Sequence, residues 1–362
     1  MTAFNRRQFL KTSSAAAAFM CVEPALAAPI QVPTVDKLSI RVLMDGAANI
    51  FYRPATVAGV KSERPPAASD YRRALHNEWG LSLYLESQRA NEGRTFMVDF
   101  GYTSQGLLNN IELLGVNITK VDALVVSHGH FDHFGGLIGF LDKYRSALPE
   151  NVRLYTGGED NFCHRWNGAP GSLAEFGALD RRALVARQVA TVLTEAPVVV
   201  AGHAFTTGPI KRTTNEKVLP NTSVEFAMRD GLGCNAAHYT PAELQGKIVP
   251  DEHLHEHATC FNIAGKGLVV ITSCGHAGIL NTVATAREVS GVEKIHALVG
   301  GFHLGPAPDA YLNDIVAQLK TVNPDVVIPM HCSGQNFIDA VNKTMPEKLL
   351  LSTTGARLTF GA

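Results

Sequence analysis

The chain runs to 362 residues, 46% of them apolar, with 32 Lys and Arg against 33 Asp and Glu for a formal net charge of −1. Interspersed charges in such balance lay out no basic field for nucleic acid, and the apolar share is ample for one large core. No apolar run beyond the N-terminal stretch reaches the roughly 18–20 residues needed to cross a bilayer, so no stable membrane anchor is expected.

In chain order, Asn5-Arg6-Arg7-Gln8-Phe9-Leu10-Lys11 precedes an Ala-rich apolar stretch ending in Ala25-Leu26-Ala27-Ala28. It reads as a twin-arginine export signal with an A-x-A cleavage site. Residues 1–27 are therefore expected to be removed, with the twin-arginine export machinery as a partner, and residues 28–362 to form a single domain that is periplasmic or secreted. Cleavage removes Cys21 and leaves Cys163, Cys234, Cys260, Cys274 and Cys332, an odd set that allows disulfides without demanding them. Cys260 and Cys332 read as small buried apolar residues. Apolar runs predict strands over 38–44, 80–85, 95–100, 123–127, 152–156, 198–202, 259–263, 268–272, 295–299, 326–330 and 349–352. Helical periods fall at 104–114, 136–148, 174–193, 279–290, 310–322 and 335–343. Strands followed by helices in both halves predict an α/β fold, an αββα sandwich. Segments 51–77 and 206–251 carry many Pro, Gly, Thr and Asn residues and read either as functional lids or as solvated excursions.

The most constraining stretch is Ser127-His128-Gly129-His130-Phe131-Asp132-His133, at the carboxyl end of the apolar run Val121-Asp122-Ala123-Leu124-Val125-Val126. Imidazoles at alternate positions, His128 and His130, can grip one cation, which leaves Asp132 and His133 for a second. Histidine nitrogen with carboxylate oxygen suits zinc, with manganese or iron also compatible.

This spacing is the metal motif of the metallo-β-lactamase superfamily. Further blocks follow in order: Glu78-Trp79-Gly80-Leu81-Ser82, Val98-Asp99-Phe100-Gly101, Ser273-Cys274-Gly275-His276-Ala277-Gly278, Gly300-Gly301-Phe302-His303-Leu304 and Pro329-Met330-His331-Cys332-Ser333-Gly334. Together they resemble the branch that includes the dihydropterin ribofuranosyl-aminobenzene phosphate synthases. The resemblance implies an αββα sandwich of the metallo-β-lactamase type and two bound metals, zinc first. It assigns His128 and His130 to the first metal and Asp132, His133 and His331 to the second, and gives Asp99 the task of orienting the metal loop. His276 joins the candidate ligands. Many superfamily members place a bridging aspartate near there, and this chain has none. His303 reads as a metal ligand or as a proton donor to a substrate oxygen. Among His253, His255 and His257, which alternate as on a strand, His257 is favoured as nearest the site, with a solvated polar edge as the alternative.

The expected chemistry is hydrolysis of a small-molecule ester, lactone, amide or phosphoester by metal-bound hydroxide, with Asp132 orienting the nucleophile and His303 aiding the leaving group. A metal-dependent transferase of the synthase type is the second reading, and a non-catalytic metal or redox module, hinted at by Cys274 and Cys332, is the third. Arg165 with Trp166, or Lys211 with Arg212, are candidates to receive a phosphate or carboxylate.

Overall fold

The computed structural model describes residues 29–361 except 68–69, 169–170, 220, 243–244 and 246–247, so the expected export signal lies outside the described residues. Two sheets stack face to face. One runs in the order Ala190–Leu193, Arg153–Thr156, Val121–Val126, Glu92–Val98, Ser82–Arg89, Lys37–Met44, Arg357–Gly361, Val60–Glu63 and Thr56–Val57. Its first four strands are parallel and the rest antiparallel. The other runs Val198–Val200, Ala204–Thr206, Thr259–Ile263, Gly267–Thr272, Ile295–Gly300 and Val326–Pro329, with Thr34–Val35 parallel to Thr259–Ile263. Because Arg357–Gly361 pairs with Lys37–Met44, both halves of the chain close one sheet.

The period of two along a strand explains the layering. In Val121–Val126, Ala123 and Val125 face the second sheet and pack in one cluster with Phe261, Val269, Ile271 and Val299. Leu124 and Val126 face outward to Leu107, Ile111, Leu137 and Phe140 on helices Ser104–Leu114 and Leu137–Tyr144. A strand buried on both faces needs a continuous apolar run, which Ala123–Val126 supplies after the half-buried Asp122. On the far side, helices Ile279–Ser290, Asp309–Val322 and Gln335–Thr344 cover the second sheet through Val283, Ile315, Leu319 and Val341. Each such side chain, fully buried, contributes about 1.5–3 kcal/mol. The result is the expected αββα sandwich.

Local chemistry sets the boundaries. Helix Ser104–Leu114 begins where Thr103 Oγ1 accepts from Gly106 N and ends at Gly115 in the left-handed conformation. Glu78 accepts from both the amide and the hydroxyl of Thr103, which ties the Trp79 loop to that helix.

Two expectations need correction. Residues 174–193 are not one helix but strand Ala174–Gly177, helix Arg181–Ala186 and strand Ala190–Leu193. Asp180 caps a new helix there, and β-branched Thr191 and Val192 pair with Leu154 and Tyr155, so sheet pairing overrides the local period. Residues 349–352 form no strand beyond one bridge, Leu349 to Val327, and the final strand is the alternating Arg357–Gly361. Within 206–251, Ser223–Glu225 and Ile248–Pro250 join His164–Asn167 and Ala174–Gly177 in a small antiparallel sheet, beside which Cys163 and Cys234 form a disulfide.

Candidate metal centre

Four loops meet at one end of the sheets. His128, His130, Asp132 and His133 follow strand Val121–Val126, with Phe131–Phe134 as a single helical turn. Cys274 and His276 follow Gly267–Thr272, His303 follows Ile295–Gly300, and His331 follows Val326–Pro329. The last three strands are parallel neighbours, so their carboxyl ends open on the same side, where α/β sheets hold ligands. His303 and His331 turn off their strands with φ of 43° and 49°. Left-handed backbone in such residues is strained and clusters at functional sites.

His130, Asp132, Cys274, His276, His303 and His331 line a cleft of about 380 Å³ bounded by Trp79, Tyr102 and Phe176, with His128 and His133 buried behind them. Among the described residues, four sets of possible ligand atoms have all members within 4.8 Å of one another: His128, Cys274 and His276; His130, His253 and His276; His133, Cys274 and His331; and Cys274, His303 and Cys332. Asp132 Oδ2 stands 3.3 Å from His331 Nε2 and 3.6 Å from His133 Nε2. Two ligand atoms on one tetrahedral zinc lie roughly 3.3–3.6 Å apart, given bonds of about 2.0–2.3 Å. The Asp132 separations match shared coordination. His128 Nε2, Asp132 Oδ1 and both ring nitrogens of His276 and His303 are buried atoms without a hydrogen-bond partner. Such orphans call for a specific occupant, and a donor set of imidazole, carboxylate and thiol suits a transition metal.

Electrostatics keep His128, His276 and Asp132 in ligating form. Burial first, then the neighbouring imidazoles, hold His128 and His276 well below the usual histidine pKa, so both stay neutral with a lone pair to offer. Burial alone would raise Asp132, but His133 and His331 outweigh it and hold the carboxyl well below its usual range.

Outer contacts aim the rings. Asp99, fully buried, accepts from Ser127 N and Ser127 Oγ at 2.8 Å each and from His133 Nδ1 at 2.7 Å. That leaves His133 Nε2 toward Asp132 and Cys274, the latter 3.2 Å away. Thr222 Oγ1 lies 2.8 Å from His130 Nε2, and Asp45 accepts from His331 N at 2.8 Å. Glu256 accepts from His276 N and Ala277 N, and burial pushes its carboxyl up to about 7 against those bonds. Gly129 is required by close approach, since a Cβ there would stand 2.4 Å from Arg165 Nη1.

The structure thus brings together His128, His130, Asp132, His133, His276 and His331, and sets the His303 ring 4.1 Å from that of His276. Other expectations fail. His257 belongs to none of the four sets; its Nε2 lies 3.0 Å from Val126 O. His253 faces the site instead, stacked on His276 at 3.9 Å, because its φ of 49° breaks the strand alternation assumed for that segment. Cys332 is buried but is not mere packing, since it lines the cleft beside Cys274. Arg165 does not face a ligand: its guanidinium bonds Asp251, Asp160 O and Cys163 O in the interior. Lys211 and Arg212 pair with Glu288 and Glu252. Sequence reading under-weighted Cys274, although its place two residues before His276 was a usable signal. For Thr222 no such signal existed.

The fold and cleft define a class, the metallo-β-lactamase fold. The model of the metallo-β-lactamase superfamily matches residues 81–210. In the solved structure of Tm1679, described as a metal-dependent hydrolase of the β-lactamase superfamily, the likeness covers 90% of this chain and 100% of that one, with a TM-score of 0.64 and 20% identity. Over 269 residues the chain is 25% identical to the 7,8-dihydropterin-6-methyl-4-(β-D-ribofuranosyl)-aminobenzene-5′-phosphate synthase of Methanocaldococcus jannaschii, covering 73% of this chain and 84% of the synthase. A second protein of that organism, the uncharacterised MJ0448, is 26% identical over 261 residues, 70% of this chain and 84% of its own length.

Proposed function

We propose that the chain is an exported, metal-dependent hydrolase of small esters, lactones, amides or phosphoesters. The observation that carries this reading is the set of unpartnered, buried ring nitrogens that converge with Asp132 on an open cleft. His128, His130 and His276 would hold one zinc, and Asp132, His133 and His331 a second. Zinc bound there lowers the pKa of water and polarises a carbonyl or phosphoryl oxygen. The protein supplies the rest. Asp132 keeps Oδ2 toward His331 and His133 and leaves Oδ1 to orient the attacking water. His303, on a different loop of the same cleft, gives a proton to the leaving group. Trp79, Tyr102 and Phe176 bound the cleft and receive the apolar part of the substrate.

Likeness to the synthase supports a second reading, a transferase that uses the same centre to activate a leaving group. Export separates the two, because cytoplasmic pterin substrates are out of reach of a secreted protein. The Cys163–Cys234 bridge supports the exported reading, since disulfides persist in oxidising compartments. Metal analysis of the purified mature chain is the primary test. Close to two zinc ions per chain are expected, and a folded preparation that takes up none after supplementation refutes the reading. Replacing Arg6 and Arg7 by lysine should hold the precursor in the cytoplasm with its domain folded; unchanged delivery in cell fractions removes the export half.

A further inference from the structure

Cys274 and Cys332 stand on different loops, one after strand Gly267–Thr272 and one after Val326–Pro329, yet their sulfurs lie 3.4 Å apart. A disulfide needs about 2.05 Å between sulfurs, so closing the pair takes a shift of little more than an ångström. Backbone able to give that shift adjoins both residues. Gly275 follows Cys274 at φ 69°, and Gly334 lies two residues beyond Cys332 at φ 86°. Both thiols line the open cleft, so a small oxidant reaches them, whereas Cys260 is buried away from it. A third group, the His303 ring, completes a ligand set with the two sulfurs.

We propose that Cys274 and Cys332 are a redox-modification site, a dithiol that closes reversibly to a disulfide and thereby takes apart the candidate metal centre. With a peroxide as oxidant, one thiol sulfur attacks the O–O bond, becoming a sulfenic acid and releasing water or an alcohol. The second thiol then attacks the sulfenic sulfur, and the S–S bond forms as a second water leaves. Two electrons pass to the peroxide, and both thiol protons end in the products.

The consequence for metal follows from position. Cys274 Sγ belongs to three of the four ligand sets and lies 3.2 Å from His133 Nε2. Drawing it toward Cys332 shifts the atom against which His133 Nε2 is set and moves a sulfur that borders the ligand atoms of both proposed zinc sites. This consequence rests on the metallohydrolase reading; the dithiol itself does not.

The test uses the reduced, metal-free full chain, with Cys274→Ser and Cys332→Ser as controls, treated with hydrogen peroxide. Peptide mass mapping after alkylation should show Cys274 joined to Cys332 in the wild-type chain, reversed by dithiothreitol. Zinc affinity, read by competition with a chromophoric chelator, should fall about 10- to 100-fold on oxidation, the scale of losing a supporting contact at a metal site, and recover on reduction. Neither control should lose affinity on peroxide treatment. Oxidation of the two thiols to sulfinic acids with no crosslink overturns the proposal, as does a crosslink that leaves zinc affinity unchanged. A reversible crosslink in a chain that binds zinc in neither state supports the dithiol and refutes the metallohydrolase reading, which keeps the two failures apart.

Discussion

Replacing Asp99 by Asn probes how the metal loop is held without touching a proposed ligand. Asp99 sits at φ 59°, a conformation that Asn tolerates about as well as Asp, so the exchange isolates the carboxylate from backbone strain. Three donors point at it: Ser127 N, Ser127 Oγ and His133 Nδ1. An amide offers one oxygen and one N–H₂ where the carboxylate offered two acceptors, so at least one donor meets another donor. If the oxygen stays with Ser127 N, the amide nitrogen faces His133, which must tilt or move its proton to Nε2, the atom turned toward Asp132. Hydrogen bonds to charged groups contribute about 1.5–3 kcal/mol each, so the metal-free chain should lose about that much stability. Affinity at the His133, Asp132 and His331 subsite should fall about 10- to 100-fold, or about 1.4–2.7 kcal/mol, while the His128 and His130 subsite changes less. Stepwise zinc titration against a chelator, paired with urea unfolding, separates the two effects. Stability lost with both zinc affinities unchanged would refute the idea that Asp99 aims His133.

Changing His303 to Ala should leave zinc content near wild type and lower turnover about 10²- to 10⁴-fold on any substrate found by screening; zinc lost in parallel makes it a ligand instead. Arg165→Met should lower stability by about 3–5 kcal/mol in urea unfolding, because Asp251 is left buried and unpaired, and a loss within experimental error would show that Asp251 finds another partner. Burial, then Glu86, raises the Tyr84 hydroxyl from 10 to about 12. The unfolded chain therefore ionises first, and stability should decline from pH 10 to about 12. Melting curves of Tyr84→Phe should show a shallower decline over that window, and an equal one would assign the alkaline loss elsewhere.

The fold was legible where strands are buried on both faces, since runs such as Val121–Val126 can be little else. It was illegible where pairing partners decide. Ala190–Leu193 is a strand because Arg153–Thr156 lies beside it, a fact outside its own window. The site divides in the same way. Candidate ligands packed within a six-residue loop, or ending an apolar strand as His331 does, carry a local signature. Thr222 reaches the cleft, and His253 the histidine cluster, through turns between strands Ala204–Thr206 and Thr259–Ile263, whose path no periodicity encodes. Arg165 was misjudged because sequence reading credits an arginine to the surface, whereas here Asp251 and two carbonyls receive it inside.

The small sheet beside the Cys163–Cys234 bridge has a bearing on how such a protein diversifies. The proposed metal ligands descend from the two large sheets, but Asn167 and Phe176, which face the same cleft, ride on strands of the small one. Exchanges at Asn167 alter which molecule fits while the histidine cluster keeps its geometry. Thr222 and Phe176 touch the cluster itself, Thr222 bonded to His130 and Phe176 packed edge-on against the same ring at 5.6 Å. On the proposed reading, the wall of the cleft at Asn167 is separable from the metal-holding loops, and substrate preference would be free to drift there among descendants that share one reaction.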